Sequence, residues 1–323
     1  MTVLSTSAAA SAMSPSRFPE IVGGCPAMEA LFRQMARVGP TDVPLHVFGE
    51  TGTGKERVAR ALHRVSPRAA KPFVALNASA LSDELFEAEL YGHLRGAFSG
   101  AVTDRHGLVA EAEGGTLFLD EVTDLSPLAQ AKLLRLLQER EYRRVGENRA
   151  RRADLRVISA ANVPLERRVA AGQFREDLMY RMNAVVLTLP PLRERGDDLP
   201  RLARHFLKQA AELARRPAPA LTSELAAALA RHSWPGNVRE LENEMTRLVA
   251  LGEEPLRSEH LSPRLLAAPR GPLAPLREAV RGFEREHVGR MLALHAGNRS
   301  RTACALGLTR QGLVAKLRRL GIS

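Results

Sequence analysis

The stretch FGETGTGKE, Phe48 to Glu56, limits the choice of fold more than any other part of the chain. An apolar run, VPLHVFG, leads into it, and a helical pattern, KERVARALHRV, leaves it. Gly49, Gly54 and Lys55 fit G-x-x-x-x-G-K, and Gly52 adds a glycine inside the loop. Between a strand and a helix, such glycines let the backbone N–H groups from Glu50 through Thr51 and Thr53 turn inward around phosphate oxygens. Lys55 adds a cation toward the β and γ phosphates. The next position, usually Ser or Thr for magnesium, is Glu56.

The rest of the first two thirds agrees with a phosphate-binding loop on a parallel sheet. Five short β-rich runs, VPLHVFG, PFVALN, GTLFLDE, LRVISAAN and AVVLTLP, alternate with helical patterns. That alternation predicts an α/β fold with helices on both faces of the sheet. In SPLAQAKLLRLLQERE, Ser126 is a fitting N-cap, Pro127 takes the first helical position, and leucines recur at three- and four-residue spacing. From about Leu192 the strand signal stops and helices continue to about Leu261. The proline-rich segment Ser262 to Pro275 reads as a linker, and Leu276 to Ser323 as helical again. The opening MTVLSTSAAASAMSPS lacks a basic start and a long apolar region, so residues 1–17 read as a disordered tail rather than a signal peptide.

GGTLFLDE supplies a second functional element. Its apolar strand delivers Asp120 and Glu121 at the C-terminal end, where ligands collect in open α/β sheets. Asp120 is placed to hold magnesium, directly or through water, and Glu121 to polarise a water for attack on a γ-phosphate. Neither a guanine-recognition N-K-x-D nor a kinase-type H-R-D is present, so ATP hydrolysis is the best reading.

The formal net charge of +11 fits either a polyanionic partner or an arginine-rich proteome. Its distribution favours the partner: from Arg270 onward eleven basic residues face three glutamates. The two cysteines, Cys25 and Cys304, make a disulfide framework improbable, fitting a reducing cytoplasm, and no apolar run has membrane-spanning length.

The blocks IVGGCPAM, GETGTGKE, LNASAL, EAELYGHLRGAFSGA, GGTLFLDEV, KLLRLLQEREYRRVG, GQFREDLMYRMN, LPPLRERGDDL and WPGNVRELEN closely resemble the central domain of bacterial enhancer-binding proteins. These are the NtrC-type AAA+ activators of sigma-54 RNA polymerase. The resemblance runs from about Phe18 to Leu261, with a DNA-binding module after it. It implies an α/β subdomain over 18–191, a helical lid over 192–261, and an ATP- and magnesium-dependent hexameric ring built from dimers. Ile21 and Val22 then join Gly49 to Glu56 in the ATP site. Asn77 looks like the residue that senses the γ-phosphate through Glu121, Asn162 like sensor I and Arg239 like sensor II. Arg175 and Arg181 read on spacing alone as a surface salt-bridge pair; the resemblance makes them arginine fingers for the neighbouring subunit.

The resemblance also explains the uncharged segment Gly96, Ala97, Phe98, Ser99, Gly100, Ala101. It looks like the GAFTGA loop that projects toward sigma-54, with Ser99 where Thr is usual and Leu94 and Arg95 where Glu and Lys are common. A loop with glycine hinges can rise, present Phe98 and retract.

HAGNRSRTACALGLTRQGLVAKLRRLGI reads as two helices joined at Gly307–Leu308, with Ala303, Leu306, Leu308, Leu313 and Leu317 as a small core. It resembles the Fis-type helix-turn-helix. Thr309, Arg310 and Gln311 begin the second helix, where base edges are met, while Lys316, Arg318 and Arg319 suit phosphates. Arg299 and Arg301 flank the first helix. No receiver, GAF or PAS domain precedes Phe18 in this sequence, so the chain resembles relatives that depend on a regulatory partner in trans, a mixed ring or expression level. Two other readings stand beside the activator: a DNA-binding regulator that uses the ATPase fold only to oligomerise, and an AAA+ remodeller of another client.

Overall fold

The computed structural model describes residues 17–80, 83–98, 100–252, 255–267, 276–295 and 298–321. Residues 1–16 of the expected tail, Ser99 and residues 268–275 of the expected linker lie outside the described residues. The chain divides into two compact units, one of residues up to 262 except 231–233, the other of 263 onward with 231–233.

The strands in chain order are β1 (Leu45–Phe48), β2 (Phe73–Asn77), β3 (Gly92–His93), β4 (Arg105–His106), β5 (Thr116–Asp120), β6 (Glu141–Tyr142), β7 (Arg151–Arg152), β8 (Arg156–Ala161) and β9 (Val185–Thr188). The five runs expected from sequence form one parallel sheet in the order β2-β5-β8-β1-β9. Side chains alternate across it, as the period of two requires. Leu117, Leu119 and Val157 enter a core with the helices Asp83–Tyr91, Pro127–Glu139 and Glu176–Met182. Phe118, Ile158 and Ala160 enter the opposite core, against Pro26–Val38 and Lys55–Arg64. The expected helix start at Ser126 is present: its hydroxyl accepts from Ala129 N at 3.2 Å, with Pro127 at the first helical position.

Register decides where function can sit. Asn77 pairs with Asp120, and Phe48 with both Ala161 and Thr188, so the C-terminal ends of the strands finish level. The loop after β1, Asn77, Asp120 and Asn162 therefore share one edge. Buried Arg156 holds the far side, donating to Gly39 O at 2.9 Å and Val38 O at 3.1 Å, carbonyls at the end of helix Pro26–Val38. This satisfies acceptors that a helix C-terminus leaves open.

Beyond β9 the first unit is helical. Asp198–Leu213 and Asn237–Leu251 pack as its main pair, with Ser223–Ala230 beside them. Among the described residues no helix is long and apolar enough to cross a membrane.

The second unit contains helices Pro263–Ala267, Leu276–Leu294, Arg299–Ala305 and Arg310–Leu320. Pro263–Ala267 falls in the expected linker; a proline at the first position followed by Arg, Leu, Leu and Ala suits a helical turn. The core of this unit is Val288, Ala303, Leu313, Leu317 and Leu320, with Leu306 against it. Leu308, expected inside, is 37% exposed. Gly307 reverses the chain at φ 67°, leaving Leu308 at the corner, and Val288 and Leu320 close the core instead.

Candidate nucleotide site and the loop above it

The phosphate loop is shaped by its glycines. Gly52 has φ 77°, and a Cβ there would stand 2.2 Å from Gly236 O, so conformation and close approach both exclude a side chain. Gly54, at φ 101°, opens the helix Lys55–Arg64. Lys55 is buried, donates to Gly49 O at 3.0 Å, and stands 3.7 Å from Glu121 Oε1. Glu121 follows β5 in the left-handed region at φ 53°, and its Oε2 is buried with no hydrogen-bond partner. Burial lifts its carboxyl above the usual carboxylate range, opposed by the Lys55 ammonium.

Expected residues converge on one cleft. Ile21, Val22, Thr51, Gly52, Thr53, Gly54, Lys55, Glu56, Asn77, Asp120, Glu121 and Arg239 all line it. Asn162 sits at its edge, donating to Thr51 Oγ1 at 3.3 Å. Asn77 accepts from Ser79 N at 3.0 Å and Ser79 Oγ at 2.8 Å. Gly49 and Glu50 are not on the cleft wall. Gly49 offers its carbonyl to Lys55, while the Glu50 side chain is turned to the lid, where Arg193 holds it at 2.8 and 2.6 Å. Glu56 lies along its own helix on Arg60 at 2.9 and 2.7 Å.

The lid contributes groups that sequence reasoning missed. Leu202, His205 and Phe206 of helix Asp198–Leu213 line the same cleft as Ile21 and Val22. Asn237, fully buried, accepts from Leu192 N at 2.8 Å and donates to Thr51 O at 3.0 Å and Glu50 Oε2 at 3.1 Å. Two residues on, Arg239 N donates to Gly52 O at 3.1 Å. Buried Arg195 donates to Thr53 O at 3.1 Å, and buried Asp198 accepts from Gly24 N at 2.7 Å and Cys25 N at 3.2 Å. The phosphate loop, the Gly24–Cys25 segment and the lid are thus one hydrogen-bonded assembly. Its only sequence signals were Asn237 inside WPGNVRE and Arg195 and Asp198 inside RERGDD.

Arg175 and Arg181 do not line this cleft. Arg175 precedes helix Glu176–Met182 and pairs with Asp177 at 3.0 and 2.8 Å on the surface, and Arg181 is exposed.

The uncharged loop stands on a ribbon of β3 and β4. Gly96 N donates to Ala101 O at 2.9 Å, closing a hairpin-like turn whose hinges, Gly96 and Gly100, have φ 81° and 107°. Its base is tied to the neighbouring β6–β7 connection, where Leu94 N donates to Val145 O at 3.0 Å and Val145 N to Gly92 O at 2.8 Å. Phe98 is 39% exposed, and its ring stands edge-to-face with the His93 ring, centroids 4.9 Å apart. Ala97 packs on Gly146, where a Cβ would sit 3.0 Å away.

In the second unit, Asn298 caps Arg299–Ala305 by accepting from Ser300 N and Arg301 N, both at 3.1 Å. Arg299 and Arg301 therefore lie within the first turn of that helix, exposed, rather than flanking it. Thr309 Oγ1 accepts from Gly312 N at 3.1 Å and starts the next helix, on which Arg310 and Gln311 are exposed. Lys316 and Arg319, expected on phosphates, are both paired with Glu284, at 2.8 and 3.1 Å.

Three protein families match successive parts of the chain. The sigma-54 interaction domain family matches residues 21–188, the AAA+ ATPase lid domain family residues 193–273, and the Fis family of bacterial regulatory proteins residues 279–320. The chain is 45% identical to the transcriptional regulatory protein ZraR of Klebsiella oxytoca, over 93% of this chain and 68% of that protein. It is also 45% identical to the hydrogenase transcriptional regulatory protein HoxA of Cupriavidus necator, over 97% and 68%. Among solved structures, NtrX of Brucella abortus in complex with ATP aligns with a TM-score of 0.74 at 38% identity, over 94% of this chain and 70% of that one. A P-loop sheet with a helical lid, a sigma-54 interaction domain and a Fis-type helix-turn-helix, in that order, place the chain in the family of bacterial sigma-54-dependent AAA+ transcriptional activators.

Proposed function

We propose that the chain binds enhancer DNA, assembles into a hexameric ring in the bacterial cytoplasm, and uses ATP hydrolysis to drive its GAFSGA loop against sigma-54 RNA polymerase. The observation that carries this reading is the short covalent path from cleft to loop. β2 ends at Asn77 in the cleft; one helix, Asp83–Tyr91, then leads to the ribbon that holds Phe98 out to solvent. A change at the nucleotide that shifts that helix is passed to the loop, together with the β6–β7 connection bonded to its base.

Within the site, Lys55 and the loop amides bind the phosphates, and Ile21 and Val22 with the lid wall take the base. Glu121, its carboxyl lifted by burial, takes the proton of the attacking water. The unpartnered Glu121 Oε2 beside Asp120 fits a magnesium-bound nucleotide, and Asp120 is the residue that would hold the ion, directly or through water. The chemistry supplied there would be positive charge against the phosphates. Asn77 relays the phosphate state, and Asn162 and Arg239 sense it from sheet and lid. Arg175 and Arg181 exchange surface contacts for the nucleotide of the adjacent subunit, which makes turnover depend on assembly. Arg175→Ala tests this: ATP binds as before while turnover falls about a thousandfold or more. Near-normal turnover in that variant would remove the finger role. On DNA, Arg299, Arg301, Thr309, Arg310 and Gln311 are the contacting residues, and Arg318 belongs to the same helix.

A further inference from the structure

The C-terminal half of the helix Arg310–Leu320 is held by the helix Leu276–Leu294 through two residues one turn apart. Arg281 Nη2 donates to Arg319 O at 3.1 Å, on the last turn of the shorter helix. Three positions on, Glu284 receives Lys316 Nζ on Oε1 at 2.8 Å and Arg319 Nη2 on Oε2 at 3.1 Å. Both oxygens of one carboxylate are thus occupied by cations of the helix expected to meet DNA. Glu284 and Lys316 are each about one quarter exposed, so the pair is partly sheltered from solvent. The Lys316 hydrogen bond holds the Glu284 carboxyl below its usual range, so it stays charged wherever the protein works. By contrast, Thr309, Arg310 and Gln311 at the other end of the helix are exposed, and no acid in the described residues engages Arg310.

We infer that Glu284 is an internal competitor for DNA phosphate: it occupies Lys316 and Arg319 and confines DNA contact to the N-terminal half of the recognition helix. The inference rests on the DNA-binding reading of this module. A phosphate can win these cations only by displacing a carboxylate already in place, so they contribute little to counterion release. A single module then binds weakly, and occupancy of an enhancer depends on several modules engaging together through the assembled protein, where effective concentration supplies what the single module lacks.

Glu284→Gln keeps the shape of the side chain and removes the charge. The test uses the full-length protein and a fluorescently labelled duplex of arbitrary sequence, about 30 base pairs long, with anisotropy read from about 50 to 200 mM salt. Each additional phosphate neutralised steepens the slope of log K against log salt by about 0.9. The variant should bind more tightly at low salt, with a slope steeper by about one to two for each module engaged. Glu284→Ala, checked by circular dichroism for helix content, should give the same steepening, because charge release and not amide chemistry is the cause. Equal slopes in wild type and variants, or weaker binding by folded variants, would overturn the inference, since the Glu284 contacts would then only brace the recognition helix. Failure of the wild-type protein to bind the duplex at all would instead count against the DNA-binding reading itself.

Discussion

Replacing Asn237 by alanine tests the joint between phosphate loop and lid. The asparagine is fully buried, and its carboxamide is the acceptor for Leu192 N and a donor to Thr51 O and Glu50. Alanine leaves the Leu192 N–H unsatisfied in a buried place, at a cost of about 1–3 kcal/mol. Glu50 keeps both contacts from Arg193 and loses little. Asn237 also has φ 52°, a region where alanine is worse than asparagine by about 1 kcal/mol. The sum is near 3 kcal/mol, or about 6–12 °C of melting temperature for a unit of this size. Urea and thermal unfolding measure it directly. Asn237→Gly should recover about 1 kcal/mol relative to alanine, because glycine removes the strain but not the lost contacts. An alanine variant within about 0.5 kcal/mol of wild type would refute the joint. A glycine variant no better than alanine would refute the strain.

Two further outcomes concern the phosphate loop and the strand that leads into it. Lys55→Ala should abolish ATP binding in equilibrium measurements, and undiminished affinity would refute the phosphate assignment. His46, buried on β1, has Nδ1 2.9 Å from Ser159 Oγ and an unpartnered Nε2, and burial holds its pKa at about 4 against an ordinary 6.5. With the folded value below the unfolded one, stability is full above pH 6.5 and is lost as pH falls through that value toward 4; about 2 kcal/mol should go between roughly pH 7.5 and 5. His46→Gln should lack that slope in denaturation at the two pH values, and an unchanged slope would remove His46 as its source.

What the sequence made legible was local. Each sheet strand is a short apolar run bounded by turn residues, and the phosphate loop is a contiguous motif, so both could be read without tertiary contacts. The ribbons Gly92–His93 with Arg105–His106 and Glu141–Tyr142 with Arg151–Arg152 could not, because two-residue ladders carry no alternation to detect. Buried polar joints were equally hidden. Asp198 reaches Gly24 across 174 positions and Asn237 reaches Glu50 across 187, and nothing local marks either side chain as buried. Lys316 and Arg319 looked like free cations for the same reason: their acid lies more than thirty positions upstream. Leu308 was placed in the core by its apolar character, but the left-handed turn at Gly307 decides that it faces outward.

The central claim is that hydrolysis at this cleft drives the loop against sigma-54. The most direct measurement is size-exclusion chromatography of the protein with purified sigma-54, with and without ADP–aluminium fluoride as a mimic of the hydrolysis transition state. The account predicts co-elution at ring size only with the mimic, and loss of that complex in Phe98→Ala while ATP turnover persists. Turnover without co-elution by the wild-type protein, or a complex that Phe98→Ala leaves intact, would contradict it.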